Sequence, residues 1–94
     1  MNFLDFKDNL ESKLKKKFKF ELWELSYTPY SFGSGVIVYR INGKFIKYIF
    51  DGKDNILELH ISGKHKKYSE CKFNFLKSYA NLNSFEIKDV ENNS

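Results

Sequence analysis

Between Val36 and Ser62, apolar and polar residues alternate in three runs, broken by Asn42-Gly43 and by Gly52-Lys53-Asp54-Asn55. Alternation with a period of two marks strands with one buried face, because successive side chains point to opposite sides. Asn-Gly favours a two-residue hairpin turn, since both central residues need φ > 0 and these two tolerate it most cheaply. That turn sets Ile41 opposite Lys44, Tyr39 opposite Ile46, Ile37 opposite Tyr48 and Gly35 opposite Phe50. With 52–55 as the second loop, Phe50 faces Leu57, Tyr48 faces Leu59 and Ile46 faces Ile61. One apolar face then runs across three antiparallel strands. A slip of one residue would bring Glu58 and His60 among the apolar side chains, which burial without partners opposes.

The flanks carry other periods. Phe3, Phe6, Leu10 and Leu14 recur at three- and four-residue spacing, with Asn2 placed to cap, Asp5 in the first turn and lysines in the last, so 2–15 reads as a helix packed on the core. Residues 18–27 read as a strand whose apolar parity switches at Leu22-Trp23. Coverage of both faces over part of its length is expected there in preference to a bulge. The segment 28–35, with the only proline and two glycines, is a loop that also carries Tyr30 and Phe32. After a basic connector at 63–67, Ser69 is placed to cap a second helix through about Ala80, with Phe73, Leu76 and Ala80 on its apolar face. Phe85 and Ile87 suggest a short edge strand within 84–90, and 91–94 should fray.

The predicted order is α-β-β-β-β-α-β, a single α+β domain over 1–90 with an antiparallel four- to five-stranded sheet and two helices packed on one face. The opposite face would carry Val36, Val38, Phe45, Ile49 and Ile56 mixed with Arg40, Lys47, Glu58 and His60. That is more apolar than a solvated face requires.

Length agrees with one core: 94 residues leave no room for two domains. Ten Phe and six Tyr let few residues fill a core or anchor a partner. Sixteen basic against twelve acidic residues give a net charge of +4, with lysines clustered at 13–19 and at 64–67. Such a balance favours acidic partners, although lysine clusters are more often solvated surface. The lone Cys71 excludes an internal disulfide, the first residues lack the apolar stretch of a signal peptide, and no run reaches the roughly 18–20 apolar residues that span a bilayer. A soluble cytoplasmic protein that engages no membrane is expected, as a monomer or as a homodimer formed through the open sheet face.

Reaction chemistry is sparse. His60, His65 and Cys71 match no zinc spacing, and ordinary packing or exposure suits them better, so no metal site and no cofactor are expected. Cys71 in the first turn of the second helix would be a candidate nucleophile paired with histidine, but no motif surrounds it. Gly33-Ser34-Gly35 is followed by a strand, not by the helix that a phosphate loop needs, and Asp51 and Asp54 belong to a turn. A sheet face bearing Arg40, Phe45, Lys47 and His60 would suit base stacking and phosphate contact, without the motifs of the common RNA-binding sheets.

Trp23, the Ser31-Phe32-Gly33 loop, the 39–43 turn, the Asp51-Gly52 turn and the pair His65 and Tyr68 lie within 20–70, a stretch that resembles small immunity proteins of bacterial polymorphic and contact-dependent toxin systems. The resemblance implies a protein without catalytic activity or cofactor that neutralises a cognate toxin by tight protein–protein binding. The basic charge of this chain suits a target with an acidic site better than a nuclease.

The leading expectation is therefore a toxin-neutralising binding protein; the alternative is a small basic nucleic-acid-binding domain using the open sheet face. The expected partner site combines the 28–35 loop with that face, at Tyr30, Phe32, Arg40, Phe45 and Lys47. Rigid aromatics mixed with charge are what interface hot spots favour.

Overall fold

The computed structural model describes residues 2–64 and 67–93. Helix α1 (Phe3–Lys15) begins at a reciprocal cap, in which the Asp5 amide donates to Asn2 Oδ1 and the Asn2 amide donates to Asp5 Oδ2. This satisfies two of the donors that a helix start leaves free. Five strands follow: β1 (Phe20–Thr28), β2 (Ser34–Ile41), β3 (Lys44–Asp51), β4 (Ile56–Lys64) and β5 (Asn74–Tyr79). A short 3-10 turn, Tyr68–Glu70, lies between β4 and β5, and α2 (Lys88–Glu91) comes last. The strands form one antiparallel sheet in sequence order, β1-β2-β3-β4-β5.

The central register is the one that alternation and the Asn-Gly turn dictate. Ile41 pairs with Lys44, Tyr39 with Ile46, Ile37 with Tyr48 and Gly35 with Phe50; across β3 and β4, Phe50 pairs with Leu57, Tyr48 with Leu59 and Ile46 with Ile61. Asn42 and Gly43 both take positive φ, at 53° and 79°.

One sheet face is covered by helix. Phe3, Phe6, Leu10 and Leu14 are fully buried against Ile37, Tyr39, Ile41, Tyr48, Leu57 and Leu59. Phe3 stacks on Phe50, ring centroids 6.1 Å apart, whereas Glu11 accepts a 2.8 Å hydrogen bond from Tyr39 Oη. Helix α1 thus runs from the loop end of the sheet, near 28–34 and 52–55, toward the Asn42-Gly43 tip. No helix among the described residues is long and apolar enough to cross a membrane.

The α+β class, the antiparallel sheet and helical cover on one face are as expected, but the last two elements exchange places. Residues 74–79 are a strand, where a helix from 69 to 80 is expected; a helix there would leave the outer edge of β4 without hydrogen-bond partners, and β5 supplies them through pairs such as Leu57 with Tyr79 and Glu58 with Ser78. Phe85 belongs to no edge strand. It is buried with its ring edge-on to Phe6 at 5.0 Å, and Val90 of α2 joins the same cluster. Residues 91–93, expected to fray, are held: Lys17 Nζ lies 2.5 Å from Glu91 Oε1, close enough for an ion pair though not directed as a hydrogen bond, and Lys44 Nζ donates to the Asn93 carbonyl at 3.0 Å. Ser94 lies outside the described residues.

The parity switch in β1 is also resolved differently. The pairing slips between Leu22 and Glu24, so Trp23 is the extra residue of a bulge, and Leu22 and Leu25 stay exposed. On the helix side Phe20 and Tyr27, at the two ends of β1, pack on the core, but Leu22 and Leu25 between them stay uncovered on this edge strand. The bulge turns Trp23 and Glu24 together onto the face opposite the helices.

Candidate partner-binding site

The bulge decides what happens on that second face. Phe45, on β3, lies there beside Arg40, and its ring is met by Trp23 at 5.4 Å and by Tyr68 at 5.1 Å. Phe73 packs on Tyr68 in turn. The connector between β4 and β5 thus crosses the sheet far enough for Tyr68 Oη to donate a 2.6 Å hydrogen bond to Glu24 on β1. Beneath this aromatic lid Phe45 has 0% exposure, Val38 is fully buried, and the Phe45 amide donates to Ser62 Oγ at 2.9 Å.

The charged residues around the lid are held by its rings. The Arg40 guanidinium sits 5.9 Å from the Phe45 centroid and Lys47 Nζ sits 4.5 Å from that of Phe73. Arg40, Phe45 and Lys47 are therefore brought together, but as a packed assembly in which Phe45 offers no surface. A partner or a stacked base on this face cannot touch the ring that sequence reasoning placed at its centre. Trp23, Tyr68 and Phe73 are the residues that reading missed. The parity switch at Leu22-Trp23 is a signal for Trp23 alone; Tyr68 and Phe73 lie in a connector without a regular period, which gives none.

Tyr30 and Phe32 are placed elsewhere. From the Arg40–Phe45 pair to the Gly35–Phe50 pair is five residues along the strands, roughly 17 Å, and the loop lies beyond that. Here the two rings are displayed: Tyr30 is 101% exposed and Phe32 70%. The backbone beneath them is fixed. The Ser31 amide donates to the Thr28 carbonyl, the Ser34 amide to the Ser31 carbonyl, Thr28 Oγ1 to the Ser34 carbonyl, and the Gly52 amide to Ser34 Oγ at 2.9 Å. Phe32 and Gly33 turn the chain with φ of 60° and 72°. The Phe32 backbone lies so close on the β3–β4 turn that a Cβ at Gly52 would come within 1.8 Å of its carbonyl oxygen. Five expected residues thus divide into a packed assembly, with Phe45 buried and Arg40 and Lys47 half-buried, and an exposed aromatic pair at the loop end.

The remaining candidate groups are His60, His65 and Cys71. His60 lies 2.9 Å from Glu58 and edge-on to Phe75, while His65 and Lys66 lie outside the described residues. No group of three or more metal-binding side chains gathers among the described residues. Cys71 follows the 3-10 turn in an extended conformation, so it has no helix start to favour its thiolate. Burial pushes its thiol above the ordinary value, and Lys47 offsets this only in part.

Comparison with protein-family models, with curated proteins and with solved structures returns no match for this chain.

Proposed function

We propose that this chain is a binding protein without catalytic activity that docks a folded protein on its loop end, with Tyr30 and Phe32 as the anchoring side chains. The resemblance over 20–70 supports the narrower reading that the partner is a cognate bacterial toxin, neutralised in the cytoplasm by occlusion. The observation that carries the proposal is the display of two large rings, one wholly and one mostly exposed, on a backbone fixed by hydrogen bonds to its own turn and to the next one. A loop that only closed the core would turn its rings inward. Pre-ordering of the backbone lowers the entropic cost of association, and rigid aromatic anchors are the commonest hot spots.

The test is co-purification with the product of the neighbouring gene, followed by titration. A stable complex is expected, and Tyr30→Ala or Phe32→Ala should each weaken it by about 2 kcal/mol or more, roughly thirtyfold, with the fold retained. A complex indifferent to both substitutions sinks the placement of the site. Absence of any complex, with no protection of cells expressing that product, sinks the toxin reading.

A further inference from the structure

The fold gathers at the Asn42-Gly43 end positive charges that are far apart in sequence. Lys19 precedes β1, Arg40 is the next-to-last residue of β2 and stands opposite Glu21, Lys44 opens β3, and Lys64 ends β4 opposite Lys44. Lys44 Nζ is turned to the Asn93 carbonyl, so Lys19, Arg40 and Lys64 are the cations that can face an anion at this end. A shallow cleft of about 450 Å³ opens here, lined by Lys19, Phe20, Glu21, Arg40, Asn42 and Gly43. Lys64 borders it, with its side chain 3.8 Å from where a Cβ on Gly43 would stand. Trp23, 43% exposed, touches the same Phe45 ring as Arg40 does, which places a flat aromatic surface near Arg40.

We infer that this tip is a binding site for a single nucleic-acid strand, with Lys19, Arg40 and Lys64 contacting the phosphodiester backbone and Trp23 stacking on a base. Lysines act as point charges on phosphate without reading sequence, and alternation of cation with exposed ring is the pattern of sequence-tolerant single-strand binders. An anionic membrane is disfavoured because Phe20, the one apolar residue of the cleft, is already partly buried against the core. An acidic protein would use the cations but has no need of the ring. The site is separate from the aromatic loop, so it stands or falls independently of the toxin reading.

Fluorescence anisotropy with a labelled oligonucleotide of about 15 nucleotides, as RNA and as DNA, tests it. With three phosphate contacts the affinity should fall about twentyfold between about 50 and 200 mM salt, and Lys19→Gln or Lys64→Gln should each lower the salt slope by about 0.7. Emission from Trp23, the only tryptophan, should be quenched on binding. Binding of both sugars alike supports backbone recognition, and a preference for RNA adds contact with the 2′-hydroxyl. The Tyr30→Ala, Phe32→Ala double variant should bind the strand as the parent does. Polyglutamate or anionic vesicles competing as well as RNA at equal charge would overturn the inference, as would a salt slope unmoved by both lysine substitutions.

Discussion

Tyr68 and Glu24, forty-four residues apart, are joined by a 2.6 Å hydrogen bond that straps the β4–β5 connector across the sheet to its far edge. Burial, then this bond, push the Tyr68 hydroxyl up from 10.0 to about 12. A group whose folded pKa is raised contributes stability that is complete below its unfolded value and is lost as pH rises through the folded one. The advantage of Tyr68 over Phe at this position should therefore hold up to pH 10 and disappear between pH 10 and about 12. Since Glu24 is exposed, Tyr68→Phe should cost about 1 kcal/mol or less at neutral pH. Thermal melts of the parent and the variant across this range check it; an advantage that grew with pH would refute the strap.

Phe45 and Phe32 should separate cleanly under mutation. Phe45 has no exposed surface and is enclosed by Trp23, Tyr68 and the buried Val38, so Phe45→Ala should destabilise by about 3–5 kcal/mol, a drop of more than 10 °C in Tm on the usual scale for about 100 residues. Phe32→Ala, made on a ring that is mostly in water, should leave Tm within a degree or two. Calorimetry on both variants decides; a Phe45→Ala protein as stable as the parent would mean that the aromatic lid contributes no packing.

How far these outcomes were legible in the chain depends on the residue. The Asn42-Gly43 turn and the strict alternation on both sides of it leave one register that buries Tyr39, Tyr48 and Leu59 together, and α1 announces itself by its cap and its stripe. Between Ser69 and Ala80 the pattern supports two answers. Phe73, Leu76 and Ala80 make a helical stripe, while Phe75 and Tyr79 also suit a strand, in which a slip between Phe75 and Lys77 sets the two rings on opposite faces. The bare edge of β4 selects the strand, and that need is tertiary, invisible in a window of twelve residues. The burial of Phe45 was hidden for the same reason. Its cover comes from a bulge in β1 and from a connector that has no regular period.

Gly52 should link the two turns at the loop end. Its φ is not in the left-handed region, so glycine is required here by space, because a methyl group would meet the Phe32 carbonyl and side chain. Gly52→Ala should push the 28–34 loop off the β3–β4 turn, break the bond from the Gly52 amide to Ser34 Oγ, and cost about 1–3 kcal/mol. Faster amide exchange at position 52 and at Ser34, beyond the intrinsic difference between alanine and glycine, together with weaker partner binding although both rings remain, is the expected signature. Unchanged exchange at both positions would show that the loop does not lean on this glycine.

Tyr39 and Tyr48 share the helix-covered face, and both hydroxyls are pushed well above the ordinary tyrosine range by burial, yet the two should respond oppositely to loss of the oxygen. Tyr39 Oη donates to Glu11, which also pairs with Lys7 one helical turn earlier, so the hydroxyl ties α1 to the sheet. Tyr39→Phe removes a hydrogen bond to a charged acceptor in a half-buried place and should cost about 1–2 kcal/mol. Tyr48 Oη is buried with no hydrogen-bond partner among the described residues, and Phe6 packs edge-on against its ring at 5.4 Å. A buried hydroxyl without a partner is a desolvation cost with nothing to offset it, and phenylalanine keeps the ring contacts. Tyr48→Phe should therefore be neutral or stabilise by up to about 1 kcal/mol. Denaturant midpoints of the two variants, measured side by side at neutral pH, give the comparison. A Tyr48→Phe protein that lost as much stability as Tyr39→Phe would show that the Tyr48 hydroxyl is satisfied in solution.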